Sequence, residues 1–402
     1  MFLQFFITGA FVPVLSLYLI NYLHFSGRQA GLIFSLTSAG AIVAPLFTAY
    51  IADRFIRSER LLGLCHCMGG VFMFAFAAQT AFVPAALLYL AYTLINTPTF
   101  ALTNAIIFHH LPGTRQGFGS IRVWGTIGWI AVAWLFSFLW LRHGGMDVAN
   151  TRLPDALKLA GAASMVLGMF AFLLPAPARH AGNAAGIFPL HSLRVFKNLR
   201  VTLFCLFMFF MTMVDRFYYF GTSPFLHFIG FSDANIMPLM SLGQVPEVFG
   251  MFMLGLLLRR YGSKKVMLLG IGFDLFRYAV CAAGGPAPLV ILGLSVHGCA
   301  YTFIYTTAAI HFDGFCDSAS RTGAHQLFSM LTTGLGNCTG SLLVGASLDW
   351  CTSPGGAVAY LPFWLVPTFG AAALFVAMVI LISATPRPAE KNGAVLEHEV
   401  NL

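Results

Sequence analysis

Charged residues are scarce in this sequence: Asp, Glu, Lys and Arg together make up 9% of its 402 residues. A soluble domain is typically about 25% charged. Hydrophobic residues reach 58%, and the mean hydropathy is +0.81. So few charges cannot cover the surface of a protein this long in water. The composition therefore excludes a soluble globular protein and predicts an all-α membrane protein.

The signatures of soluble enzymes and of metal sites are also absent. The sequence contains no phosphate-binding loop, no G-x-S-x-G, no H-E-x-x-H and no dinucleotide-binding glycine loop. Most of the eight cysteines lie in apolar runs, and a single residue separates Cys65 from Cys67, which is not a zinc or redox spacing. We therefore predict no enzymatic activity, no cofactor, no metal ion and no disulfide.

About twelve apolar runs divide the chain, and each provides the roughly 20 residues that a helix needs to cross a bilayer. They begin near Phe2, Gly31, Leu61, Ala85, Phe118, Leu157, Val201, Ala234, Val266, Ala287, Thr322 and Val358. No charged segment or cleavage site precedes the first run, so we expect it to be a spanning helix rather than a cleaved signal peptide.

The basic residues lie mainly on one side of the predicted membrane. Most of the 22 Lys and Arg residues fall in the even-numbered loops and the C-terminal tail. The odd-numbered loops hold Arg28, Arg142, Arg152 and Lys158. The positive-inside rule therefore places the even loops and both termini in the cytoplasm of a bacterial cell, with the spans in its cytoplasmic membrane. The net charge of +8 is accordingly a topology signal, and we expect no nucleic-acid partner.

The longest polar connection, from about Pro175 to Arg200, divides the spans into two groups of about six. A cytoplasmic linker between two six-helix halves is the layout of major facilitator transporters. The loops after spans two (AYIADRFIRSER) and eight (GLLLRRYGSKK) both resemble the signature loop of that superfamily, although the first lacks its glycines and the second has Arg259 in place of the acid. The predicted units are an N-terminal bundle (1–175), a cytoplasmic linker (176–199), a C-terminal bundle (200–386) and a cytoplasmic tail (387–402).

Span five carries an arginine inside an otherwise apolar segment, IRVWGTIGWI. Arg122, Thr126 and Trp129 share one face of a helix, because they are four and seven residues apart. We call these three residues the span-five stripe. A guanidinium in a membrane helix is costly and usually faces the bundle interior or a watery cavity. An arginine, a hydroxyl and a flat indole on one face predict a site for a polar, ring-bearing ligand.

Two acidic residues lie inside apolar spans of the second half. Glu247 on span eight is three residues from Gln244, and Pro246 between them is expected to bend the helix. Asp215 on span seven shares a helix face with Tyr218. A carboxylate in the membrane either pairs with a cation or carries a proton, so both acids are candidates for proton coupling and both interpretations stay open.

Two arginines of the second half, Arg216 and Arg277, lie close in sequence to an acidic residue. Arg216 is expected to point about 100° away from Asp215, and so to pair elsewhere or reach to the membrane interface. Asp274 and Arg277 on span nine are three residues apart, a spacing that favours a self-neutralised ion pair.

Span ten carries a histidine and two tyrosines that recur every four residues, His297, Tyr301 and Tyr305. Side chains at this spacing share one helix face. They either line a cavity, or His297 is a buried histidine bonded to a neighbouring helix.

Several segments together resemble the nucleoside:H⁺ symporter family of the major facilitator superfamily. They are FLQFF at the start, NTPTFALTNAI, IRVWGTIGWI, Gln244-x-x-Glu247, RRYGSKKVM and HGCA. The resemblance covers nearly the whole chain and implies that the span-five stripe forms one wall of a nucleoside cavity, with Gln244 and Glu247 opposite. In that arrangement Trp129 stacks on the base, Arg122 meets Glu247 between the two halves, and Tyr301 supplies a second aromatic wall.

Two spans of the second half depart from the family pattern. Relatives carry amides at the positions of Asp215 and Tyr218, a tyrosine at that of His297 and an acid at that of Thr302. If that acid helps to couple protons, its role here passes to Glu247 or Asp215. Because these departures lie on the cavity face, a substrate other than a standard nucleoside stays open.

The sequence therefore predicts a monomeric, twelve-helix transporter of the major facilitator fold that takes up nucleosides with protons by alternating access. Its proton-coupling candidates are Glu247 and Asp215. Its predicted substrate-binding residues are Arg122, Thr126, Trp129, Asp215, Tyr218, Gln244, Glu247, His297 and Tyr301. Two alternatives keep the fold: a proton symporter for a sugar or another polar metabolite, and a sensor that binds its ligand without transporting it.

Overall fold

The computed structural model of the chain describes residues 1–54, 56–110, 118–142, 152–175, 190–317 and 321–383. The predicted cytoplasmic tail, most of the predicted linker and the side chains of the first signature loop up to Phe55 lie outside the described residues. The division into an N-terminal and a C-terminal bundle at the predicted boundaries stays a prediction.

Within the described ranges, twelve long helical segments follow one another, and the β-structure there is one isolated bridge between Thr352 and Val358. The all-α prediction is confirmed, and the twelve helices agree with the apolar runs. A short 3₁₀ helix, Leu190–Lys197, precedes the seventh. The helices are α1 (Phe2–Tyr22), α2 (Gly27–Arg54), α3 (Ser58–Ala77), α4 (Phe82–His110), α5 (Phe118–Phe136, continued by Ser137–Leu141), α6 (Leu153–Ala171), α7 (Leu199–Phe228), α8 and α9 (Asp233–Ala283, divided at Gly262), α10 (Ala287–Asp313), α11 (Gly323–Trp350) and α12 (Tyr360–Ser383).

The boundary between α8 and α9 is a single glycine. Gly262 has φ 75° and ψ 161°, whereas the residues on both sides are helical. Glycine has no Cβ and adopts a positive φ at little steric cost. The predicted loop after span eight is therefore a sharp kink at Gly262.

Helices α8 and α10 are both interrupted, and the interruptions lie against each other. The break in α8 is at Leu242, four residues before Pro246, because proline has no N–H to donate to that carbonyl. The break in α10 is at Val296. A Cβ on Gly298 would lie 2.5 Å from the backbone nitrogen of Glu247, so the two backbones touch. This contact places the polar residues of α8 beside those of α10.

Helices α2 and α11, one from each half of the chain, are in close contact at one end of the bundle. Asp349 of α11 accepts hydrogen bonds from the backbone N–H groups of Gly27 (2.5 Å) and Arg28 (2.9 Å), and so caps the first turn of α2. A Cβ on Gly31 would lie 2.7 Å from the carbonyl oxygen of Ser341. No space for a ligand remains between these helices here, and we call this the closed end.

The outside of the bundle is apolar and part of its inside is polar. Leu173 and Phe252 are 80% exposed, whereas His66, Asp274 and Arg277 are at most 1% exposed. A soluble protein shows the reverse distribution. This pattern is expected when lipid tails surround the protein and polar groups can be satisfied only in its interior.

Replacing Gly31 by valine is expected to lower the free energy of unfolding by about 1–3 kcal/mol, because the larger side chain pushes α2 away from α11. Gly255 on α8 is a matched control, since a Cβ there would meet nothing within 4 Å. Gly255→Val is expected to change stability by about 0.5 kcal/mol or less. Unfolding of the purified proteins in detergent measures both values, and equal losses would contradict a tight contact at the closed end.

Candidate functional site

A cavity of about 150 Å³ lies among α1, α5, α7, α8 and α10. It brings together the predicted substrate-binding residues other than Asp215, namely Arg122, Thr126, Trp129, Tyr218, Gln244, Glu247, His297 and Tyr301. Sequence reasoning missed the rest of the lining: Phe5, Val12, Pro13, Tyr219 and Met240. Tyr219 directly follows a predicted residue and could have been found, whereas the four apolar residues look like ordinary packing positions in the sequence.

The first wall of the cavity is the span-five stripe. The guanidinium carbon of Arg122 lies 4.1 Å from the centroid of the Phe5 ring, a cation–π contact that partly offsets the cost of burying the charge. Phe5 reaches this position because α1 and α5 pack closely at a glycine: a Cβ on Gly125 would lie 2.7 Å from the Phe5 ring. The Arg122 guanidinium thus lies over an aromatic ring at the edge of the cavity.

The facing wall begins where α8 starts again after its break. Gln244 and Glu247 occupy the first turn of the second segment and line the cavity. Arg122 and Glu247, which the sequence resemblance predicts to meet, border the same cavity. Their side chains are both described, and no ion pair within 4.0 Å joins them. Two opposite charges therefore border one space, which a polar ligand could fill.

The third wall is aromatic. The rings of His297 and Tyr218 are stacked, with centroids 3.9 Å apart and an interplanar angle of 26°. Tyr219 lies edge-on to His297 at 5.6 Å, and Tyr301 lies 5.1 Å from Tyr305 on the next turn of α10. Arg277 of α9 donates a hydrogen bond to Nδ1 of His297. Both interpretations of the histidine are therefore true, since it lines the cavity and is bonded to a neighbouring helix.

Behind the aromatic wall lies a buried cluster of two acids and two arginines. Arg277 Nη2 is 2.7 Å from Asp274 Oδ1, which confirms the predicted pair within α9, and 3.9 Å from Asp215 Oδ1. Asp215 Oδ2 is 2.9 Å from Arg216 Nη2. Asp215 is absent from the cavity lining and belongs to this cluster, whose charges balance. We call Asp215, Arg216, Asp274 and Arg277 the buried charge cluster.

The expectation for Arg216 was wrong. Its side chain does not pair with a distant partner or reach to the interface, but turns back onto Asp215 and lies over the ring of Tyr219, 4.5 Å from its centroid. The long stem of arginine allows this return despite the 100° between neighbouring positions. In a low-dielectric interior the attraction between a guanidinium and a nearby carboxylate is strong. The Arg216 side chain therefore pairs with Asp215.

Thr302 occupies the position where the sequence resemblance implies an acid. It is fully buried, and its hydroxyl donates to the backbone carbonyl of Glu247 at 3.5 Å. Among the described residues that line the cavity, Glu247 is the one that carries a carboxylate.

A polar cavity among helices from both halves of the chain, inside a twelve-helix bundle with an apolar outside, defines a secondary transporter of the major facilitator fold. The family comparison is specific. The profile of the Nucleoside H+ symporter family matches residues 1–387, so the chain belongs to that family and is a proton-coupled nucleoside transporter rather than an enzyme.

Individual relatives agree with this assignment. The YegT protein of Escherichia coli (strain K12) is 35% identical over 360 residues, covering 87% of this chain and 83% of YegT. The xanthosine permease of the same organism is 31% identical over 398 residues, covering 94% and 92%. The crystal structure of the nucleoside transporter NupG superposes with a TM-score of 0.85 at 26% identity, covering 96% of this chain and 97% of NupG.

Replacing Asp274 by asparagine is expected to lower the free energy of unfolding by about 3–5 kcal/mol, because the buried Arg277 loses its near partner. Asp155 is a matched control, since it also pairs with a cation three residues on, Lys158 at 2.8 Å, but at the surface. Asp155→Asn is expected to cost about 1 kcal/mol or less. Denaturant unfolding in detergent compares the two variants. If Asp274→Asn loses no more unfolding free energy than the control, Arg277 does not depend on Asp274 to neutralise its buried charge.

Proposed function

We propose that the cavity is the nucleoside-binding site and that each chain takes up nucleosides as a monomer in the bacterial cytoplasmic membrane. The placement of the span-five stripe opposite Gln244 and Glu247 carries the proposal. A nucleoside presents a flat base and a ribose with several hydroxyl groups. The indole of Trp129 offers a stacking surface for the base, and the amide and carboxylate of α8 offer hydrogen-bond partners for the hydroxyls. The names of the xanthosine permease and of NupG support this substrate class.

Glu247 is the proposed proton carrier. It has no described cation within 4.0 Å, whereas Asp215 is held by Arg216 at 2.9 Å and would have to leave an ion pair to take up a proton. A carboxylate free of such a pair, in a site that excludes water, accepts a proton more readily than a paired one. Protonation of Glu247 removes its electrostatic attraction to Arg122. Binding of the proton therefore changes the force that draws the two walls of the cavity together.

Alternating access follows from the closed end. The contacts between α2 and α11 hold the two halves of the chain together at that end, and the predicted topology makes it the extracellular side. The cavity of about 150 Å³ is smaller than the 300–1,000 Å³ of typical ligand pockets. We infer that the walls separate to admit a nucleoside, and that opening to the outside requires the Asp349 cap on α2 to break.

A sugar or another polar metabolite is the second candidate substrate. It is favoured by the polar groups of Tyr218 and His297 in the cavity wall, where the family pattern differs. These groups could bind hydroxyls without any base being present.

Proteoliposomes that contain the protein are expected to accumulate labelled uridine or adenosine under an inward proton gradient. Unlabelled nucleosides should compete at concentrations at which sugars do not, because only a nucleoside can use both the indole and the polar wall. Liposomes without protein give the background. Competition by sugars alone would replace the nucleoside by the second candidate, and binding without accumulation would indicate a sensor.

Replacing Glu247 by glutamine is expected to abolish accumulation driven by the proton gradient, because the amide keeps the shape of the side chain but cannot carry a proton. Counterflow exchange of nucleoside should persist, since the cavity is otherwise intact. Both are measured in the same proteoliposomes. Asp215→Asn is the comparison variant: if it loses accumulation while Glu247→Gln keeps it, the proton carrier is Asp215.

A further inference from the structure

The buried charge cluster contacts the aromatic wall of the substrate cavity, and one of these contacts is the hydrogen bond from Arg277 to His297. Arg277 is 1% exposed, and its guanidinium is fixed on several sides. It pairs with Asp274 at 2.7 Å, donates to the Tyr278 hydroxyl at 2.9 Å and lies over the Tyr218 ring, 4.3 Å from its centroid. The group that donates to His297 therefore cannot turn away.

This contact determines where the histidine carries its proton. A guanidinium has only donors and stays charged, so the Nδ1 atom of His297 must accept with its lone pair. The remaining proton of the neutral ring is then on Nε2. An imidazolium would direct a second N–H at the guanidinium and add a positive charge beside Arg277 and Arg216. We therefore assign the neutral ring with the proton on Nε2 as the form in the wall.

The Nε2–H group faces the cavity. His297 is one of the lining residues, and its ring is held against Tyr218. Within the described part of the chain, Nε2 has no hydrogen-bond partner. It is also not among the fully buried side-chain atoms that lack a partner, so it keeps some accessible surface. A donor with fixed direction and no protein partner is available to a ligand.

We propose that Arg277 is a positioning residue that makes His297 a fixed hydrogen-bond donor, so that the transporter selects ligands with an acceptor atom at this wall. The inference rests on the proposed nucleoside function. A ligand without that acceptor leaves the Nε2–H group desolvated and unpaired, which is the costly outcome on which polar specificity depends. The acceptor is a base carbonyl or ring nitrogen, or a ribose oxygen.

The first test separates the two nitrogens of the ring. In His297→Asn the amide oxygen takes the place of Nδ1 and still accepts from Arg277, but nothing replaces Nε2–H. In His297→Gln the longer side chain can present an amide N–H near the Nε2 position. Binding of labelled adenosine or uridine to protein in detergent is expected to weaken about 10- to 100-fold in the Asn variant and to be largely rescued in the Gln variant.

The second test identifies the ligand atom. Deaza and carbonyl-lacking base analogues, and deoxyribose analogues, each remove one acceptor. The analogue that lacks the partner of Nε2–H should bind wild type as weakly as the parent nucleoside binds His297→Asn, and should lose nothing further in that variant. A base analogue with this behaviour places the acceptor on the base, and a deoxy analogue places it on the ribose. Fully additive losses for every analogue would overturn the proposal.

The third test addresses Arg277 itself. Arg277→Lys keeps a positive charge beside Asp274 but loses the planar fork that holds His297. Discrimination between the parent nucleoside and the identified analogue is expected to fall, because the ring can turn. Nitrogen-15 spectra of labelled histidine, with His297→Asn used for assignment, report the proton on Nε2 in wild type. A proton on Nδ1 there would overturn the proposal.

The outcomes also separate this inference from the function on which it rests. If wild type binds no nucleoside in detergent or liposomes, the proposed function fails. If wild type and His297→Asn bind nucleosides equally well, the function stands and the inference fails. Should Arg277→Lys not fold, the His297 variants and the analogue series still decide the question.

Discussion

The need to neutralise Arg277 in an interior without water organises the second half of this transporter. Its guanidinium is 2.7 Å from Asp274 and 3.9 Å from Asp215, while Arg216 takes the other oxygen of Asp215. An unpaired charge at this depth would cost far more than the pair contributes. The balanced cluster therefore ties α7 to α9 and fixes the position of the aromatic wall in front of it.

The cavity depends equally on where the helices are irregular. Pro246 interrupts α8 at the turn before Gln244, and the break in α10 at Val296 lies against it. Glycine stands at two close contacts between helices, Gly298 of α10 against α8 and Gly125 of α5 against α1. Because it has no side chain, it lets these helices approach each other. Polar groups can then be presented within the membrane because the interrupted backbone lines a cavity rather than facing lipid.

The two walls of the cavity differ in how they relate to the family. The span-five stripe and the Gln244–Glu247 pair belong to the segments that carry the sequence resemblance to nucleoside symporters, and the cavity unites them. Tyr218, His297 and Thr302 stand where the sequence resemblance implies other residues. In the proposed function, selectivity particular to this chain lies on the wall formed by α7 and α10. Glu247 is the proposed proton carrier on the α8 wall, because its carboxylate lines the cavity.

What the sequence determined by itself was the membrane class, the number of helices and the helix faces that local spacing sets. The span-five stripe and the pair of Asp274 with Arg277 follow from 3.6 residues per turn and need no knowledge of other helices. Only the tertiary structure decided that Asp215 lies behind the wall and that Phe5 lies under a guanidinium. It also decided that Arg277 reaches the Nδ1 atom of His297. These features depend on partners from other helices, whose approach is set by packing and by charge compensation rather than by periodicity along one helix.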